Sequence, residues 1–82
     1  MASGCFVITF DSTHQAIAME KRLKGMFQSQ LMPTPRQITS GCGFAIKLKT
    51  QDRAQLDGLL QEAEPGYHLY ALENGDYIPQ TL

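Results

Sequence analysis

The sequence predicts an α+β fold, a ferredoxin-like β-α-β-β-α-β sandwich in which an antiparallel sheet carries two helices on one face. Two observations set the order: β-rich apolar runs stand near residues 5–10, 29–33, 44–49 and 67–73, and apolar residues recur at helical spacing after Ser12 and again after Thr50. A third sets the layering. Phe44, Ile46 and Leu48 alternate with Ala45, Lys47 and Lys49, so one sheet face is buried, the other is wet, and the helices cover one side only.

The first strand, Cys5 to Phe10, places Phe6, Ile8 and Phe10 on one face and Cys5, Val7 and Thr9 on the other. Ser12 stands three residues before Gln15, the spacing of a capping box, and Ala16, Met19, Leu23 and Met26 follow at helical spacing, so helix one starts near Ser12. Gly25 either caps that helix or is tolerated within it. A short strand is expected from about Ser29 to Pro33. The segment from Pro33 to Gly43 holds two prolines and two glycines and reads as a loop of about ten residues, longer than the usual hairpin connection. After the third strand, Thr50 is the expected cap of a second helix running through Gln51 to about Glu64, with Leu56, Leu59, Leu60 and Ala63 as its apolar stripe and Pro65-Gly66 as its stop. Tyr67 to Glu73 is the last main strand. Asn74-Gly75 is a turn signal that allows a small extra strand.

With 82 residues, 43% of them hydrophobic and 18% charged, the chain is expected to form one domain over 1–82 that only just buries a core and leaves little for an elaborate enzyme cleft. Seven basic and eight acidic residues give a net charge of -1, which lacks the electrostatic footprint of a nonspecific nucleic-acid binder. Lys21, Arg22 and Lys24 stand beside Glu20 and read as a solvated helix face. Gly43-Phe44-Ala45-Ile46 has a superficial likeness to the RNA-contacting strand of RNA-recognition motifs. Phe44, however, shares its face with Ile46 and Leu48, so the aromatic stacking platform is missing. No positive stretch precedes the apolar run at residues 5–10, and that run is too short for a secretory signal or a membrane span, so a cytoplasmic protein without a membrane partner is expected. Two cysteines do not make a disulfide framework in such a compartment; either matters as a thiol.

The element order has a functional consequence. If strand one points up, strand two also points up and strand three comes down beside strand one, so the long loop lies at the end where strand one hands over to helix one. The loop carrying Arg36, Ser40 and Cys42 is then expected to face the turn carrying Asp11, Ser12, Thr13 and His14. Cys42 sits between Gly41 and Gly43, which clear space around its sulfur. A free cysteine, with a reference value of about 8.5, is only slightly ionised at neutral pH. An Arg36 guanidinium beside it, and the positive end of helix one, favour the thiolate. His14, in the first helical turn, is kept neutral by the same dipole and is able to relay a proton. A third group to orient it, the usual complement of a cysteine and histidine pair, is not identifiable in the sequence. His68 reaches the same end but reads as a half-buried strand residue. Cys5, Cys42, His14 and His68 lack the local spacing of a zinc site, so no metal and no cofactor is expected.

These residues also carry a resemblance. Thr9-Phe10-Asp11-Ser12-Thr13-His14-Gln15-Ala16, followed by Met32-Pro33-Thr34-Pro35-Arg36-Gln37-Ile38-Thr39-Ser40-Gly41-Cys42-Gly43-Phe44-Ala45-Ile46, resembles a small bacterial domain family described as selenium/sulfur carrier protein-like. The likeness covers nearly the whole chain and departs from the family pattern between Gly25 and Gln30. It implies a carrier rather than a free-standing enzyme, in which Cys42 holds sulfur or selenium as persulfide or perselenide and passes it on. Arg36, Ser40 and His14 are then the polar companions of Cys42, with Ser12, Thr13, Gly41 and Gly43 on the substrate side. The implied partners are donor and acceptor proteins such as a cysteine desulfurase; a homodimer stays open. The competing reading is a non-catalytic ferredoxin-like regulatory or ligand-binding module in which Cys42 is a turn residue.

Overall fold

A computed structural model describes residues 4–38, 43–50, 52–62 and 66–80. The elements are β1 (Gly4–Phe10), α1 (Thr13–Lys24), β2 (Gln28–Pro33), β3 (Phe44–Thr50), α2 (Arg53–Gln61), β4 (Tyr67–Glu73) and β5 (Asp76–Pro79). The strands form one antiparallel sheet in the order β2-β3-β1-β4-β5. The architecture is therefore α+β with five antiparallel strands and two helices, and the four-strand sheet expected from the sequence is corrected by one strand. The reason is local. Asn74 and Gly75 both adopt positive φ, 52° and 85°, the backbone of a mirror-image two-residue turn whose twist suits a tight hairpin. The chain after it pairs back on β4 from Glu73 opposite Asp76 to Tyr70 opposite Pro79.

Helix α1 begins as the capping spacing predicts: Ser12 is the N-cap and its hydroxyl accepts from the Gln15 amide at 3.2 Å. Ala16, Met19 and Leu23 are buried, whereas Met26 lies past the helix end and is 47% exposed. Gly25 caps the helix, and the Phe27 amide donates to the Leu23 carbonyl at 2.8 Å, which brings Phe27 rather than Met26 against the core. In α2 the expected cap is displaced by two residues. Asp52 is the N-cap, accepting from the Gln55 amide at 3.1 Å, while Thr50 Oγ1 accepts from the Asp52 amide at 3.0 Å and shapes the turn before the helix. The helix ends at Gln61; Ala63, Glu64 and Pro65 lie outside the described residues.

The main core joins Phe6, Ile8 and Phe10 of β1, Ile46 and Leu48 of β3, and Leu69 and Ala71 of β4 to both helices through Met19, Leu23, Leu56 and Leu60. Each large apolar side chain buried this way contributes about 1.5 to 3 kcal/mol. Phe44, expected in this layer, is 41% exposed because it is the first residue of β3, paired with Pro33 at the sheet's end. The second face departs from the wet surface expected. Val7 and Ala45 are buried there under Ile38, with Met32, Tyr70 and Tyr77 packed around them. A residue of the β2–β3 loop thus lies across the sheet opposite the helices.

Candidate functional site

The register fixes what meets at one end of the sheet. Thr9 pairs with Ala45 on one side and His68 on the other, Phe10 pairs with Tyr67, and Pro33 pairs with Phe44. The β1–α1 turn, both ends of the β2–β3 loop and the start of β4 therefore share this end. The loop is closed at its base by the Thr34 amide donating to the Gly43 carbonyl at 3.0 Å, and a turn forms where the Ile38 amide donates to the Pro35 carbonyl at 3.0 Å. Ile38, only 6% exposed, anchors this segment on Val7 and Ala45, and Arg36 stands exposed two residues earlier. Ser40, Gly41 and Cys42 lie outside the described residues. A Cβ at Gly43 would meet no atom of the described residues within 4 Å.

In the facing turn, Ser12 serves as the helix cap, and its hydroxyl also reaches Gln15 Oε1 at 3.4 Å. Thr13 opens α1. His14 is exposed and lines a 330 Å³ groove whose other walls include Phe10, Met19 and Tyr67 and, at its far end, Arg22 and Glu62. Phe10, Met19 and Tyr67 all belong to or pack on the helix-side core, so the groove opens on the helix side of the sheet. Arg22 and Glu62 span it with an exposed ion pair at 3.5 Å.

The structure brings together a group that the sequence reading did not. His68, read from sequence as half-buried, has a side chain 55% exposed, and its Nε2 lies 3.4 Å from Asp11 Oδ1. Asp11 is itself tied down, its amide donating to the Gly66 carbonyl at 2.8 Å. Beside His68, Thr9 is wholly buried and its hydroxyl has no hydrogen-bond partner among the described residues. The signal for this cluster was present only as antiparallel register. Once β1 and β4 pair, Asp11 must follow directly on the pair Phe10–Tyr67, one step from His68. Among the described residues no cluster of three or more His, Cys, Asp or Glu side chains could hold a metal ion. Cys5 is a free thiol, opposite Lys49 at the far end of β1.

The sequence model of the family described as Putative Se/S carrier protein-like matches residues 5–69. The chain belongs to that family. The matched span runs from Cys5 to Leu69 and takes in β1, α1, the Arg36 to Cys42 loop, α2 and the His68 end of β4, leaving β5 beyond it. The chain matches no curated protein and no solved structure at a significant level. No helix among the described residues is long and apolar enough to cross a membrane.

Proposed function

We propose that this Se/S carrier family member holds a sulfur or selenium atom on Cys42 and hands it from a donor protein to an acceptor. The single observation that carries the reading is the family match, which spans the Gly41-Cys42-Gly43 segment. The loop base supports it: the two strands that bracket the loop are joined by the Thr34–Gly43 hydrogen bond, and no side chain among the described residues comes within 4 Å of a Cβ at Gly43. The transfer needs no redox partner. A Cys42 thiolate attacks the outer sulfur of a persulfide on the donor, the donor's S–S bond breaks, the donor sulfur leaves as a thiolate, and a new S–S bond stands on Cys42. Arg36 supplies positive charge near the anion, and Ser40 a hydroxyl. The four strands β2-β3-β1-β4 are read as the ferredoxin-like core, to which β5 is an addition at the β4 edge.

The test is intact mass. After incubation with a cysteine desulfurase and free cysteine, the protein is expected to gain the mass of one sulfur atom, lost again on reduction, and Cys42→Ser is expected to gain none. A wild-type protein that stays unmodified while the desulfurase itself is persulfidated sinks the sulfur reading. Cys42→Ser loading as well as wild type removes Cys42 from it.

A further inference from the structure

The groove that His14 lines is built on α1. His14, Ala18 and Arg22 recur at every fourth position of that helix and so stand in one row along it, with Gln15 and Met19 in the row beside them. Tyr67, at the start of β4, and Glu62, the C-cap of α2, complete the lining among the described residues. Phe10 and Met19 are almost wholly buried and lie at its floor. Midway along the row stands Ala18, exposed and small, where a longer side chain would occupy the groove. The volume of 330 Å³ is within the range of small-molecule sites, which pair a mainly apolar lining with a few placed polar groups.

The charges narrow the class of ligand. Arg22 and Glu62 stand 3.5 Å apart with side chains 44% and 74% exposed, and an ion pair so open to water contributes little to stability. It is therefore readily exchanged for an equivalent pair. Glu62, moreover, places a carboxylate at the C-terminal end of α2, where the helix dipole is already negative and a cation is favoured. A lone anion drawn to Arg22 meets the charge of Glu62, and a lone cation drawn to Glu62 meets that of Arg22. Only a ligand with both charges close together satisfies both. The lining between this charged end and His14 is apolar: Phe10, Ala18, Met19 and the ring of Tyr67.

We propose that the groove between α1 and the end of α2 binds a free α-amino acid with an apolar side chain. Its carboxylate pairs with Arg22, its ammonium group pairs with Glu62 at the end of α2, and its side chain lies over Phe10 and Met19 beside Ala18. Bound in this way, the ligand replaces one exposed ion pair by two and removes its apolar part from water. The site uses neither Cys42 nor the β2–β3 loop, whose Ile38 packs on the opposite face of the sheet, so it is independent of the carrier reading.

The experiment is an amide chemical-shift titration of the full chain with L-leucine, L-methionine and L-phenylalanine. At least one of them is expected to shift Phe10, Ala18 and Met19 saturably, with a Kd of about 1 mM or tighter for a ligand of this size. Glycine, which lacks the apolar part, and the analogues of the best ligand without its amino or its carboxyl group are each expected to bind at least about tenfold more weakly. Arg22→Gln and Glu62→Gln are each expected to weaken binding by about tenfold with an unfolding midpoint close to wild type, as for an exposed pair. Ala18→Leu introduces a good helix former that fills the groove, and it is expected to abolish binding. Circular dichroism confirms the fold of each variant, and the analogue series tests the charges on the wild-type protein. The proposal is overturned by the absence of saturable shifts with all three amino acids up to about 10 mM, by an analogue lacking one charge that binds as tightly as its parent, or by unchanged affinity in either charge variant.

Discussion

Gly66 lies directly against Asp11: its carbonyl accepts the Asp11 amide at 2.8 Å, and a Cβ built on it would come within 3.2 Å of Asp11 Oδ2 and 2.9 Å of Gln15 Nε2. Its φ of +111° is one that side chains rarely adopt. Gly66→Ala is therefore expected to lower stability by about 1 to 3 kcal/mol and to displace the Asp11–His68 pair. Urea unfolding measures the first effect. A midpoint equal to wild type contradicts the close approach.

Ile38→Ala tests whether the loop is truly docked on the sheet. Ile38 is 6% exposed against Val7 and Ala45, so truncation is expected to cost about 2 kcal/mol or more. It should also raise amide exchange in residues 34–38 relative to the rest of the chain. A cost near zero would mean that the loop is not anchored there.

Thr9→Val is expected to stabilise the protein, by about 1 kcal/mol, since it replaces a buried hydroxyl that lacks a partner among the described residues with a methyl of the same shape. Thermal denaturation reads this directly. A drop in stability would show that the hydroxyl has a partner in the folded protein.

Arg36→Ala is expected to slow labelling of Cys42 near neutral pH while leaving the unfolding midpoint within about 0.5 kcal/mol of wild type, as for an exposed surface residue. Equal labelling rates remove Arg36 from the thiol's surroundings.

Under mild oxidation, Cys42 is expected to form an intermolecular disulfide or a sulfenic acid while Cys5 stays reduced. Cys5 pairs with Lys49, and four strand residues, about 13 Å, separate it from Thr9, whose partner Ala45 stands at the loop end. A disulfide needs Cα atoms within about 7 Å. Nonreducing gels of Cys42→Ser and Cys5→Ser decide the matter, and an intramolecular Cys5–Cys42 bond found by peptide mapping contradicts the strand register.

Local rules carried far into this fold. The Ser12 to Gln15 spacing located the start of α1, the alternation at Ala45 to Lys49 located β3, and the span Tyr67–Glu73 emerged as β4. Local rules also mark the places of error. Thr50 and Asp52 are both good caps two residues apart, and propensity does not rank them; the turn bond from the Asp52 amide to Thr50 Oγ1 does. Ile38 belongs to no periodic segment, so its docking on Val7 leaves no trace in a hydrophobic pattern. His68 and Asp11 are 57 positions apart and meet only through the β1–β4 register, so no local spacing marks the pair, whereas His14 stands within the turn itself. The expectations for Ser40, Gly41 and Cys42 lie outside the described residues, and their roles rest on chemistry and family membership.

The sheet's two outer strands share an ending. β2 finishes in Pro33 and β5 in Pro79, and a proline offers no amide to a neighbour. An extended peptide approaching either rim thus finds a donor missing at the last position, and on the β5 rim only four residues long to begin with. Both rims are poor templates for recruiting another chain by strand addition.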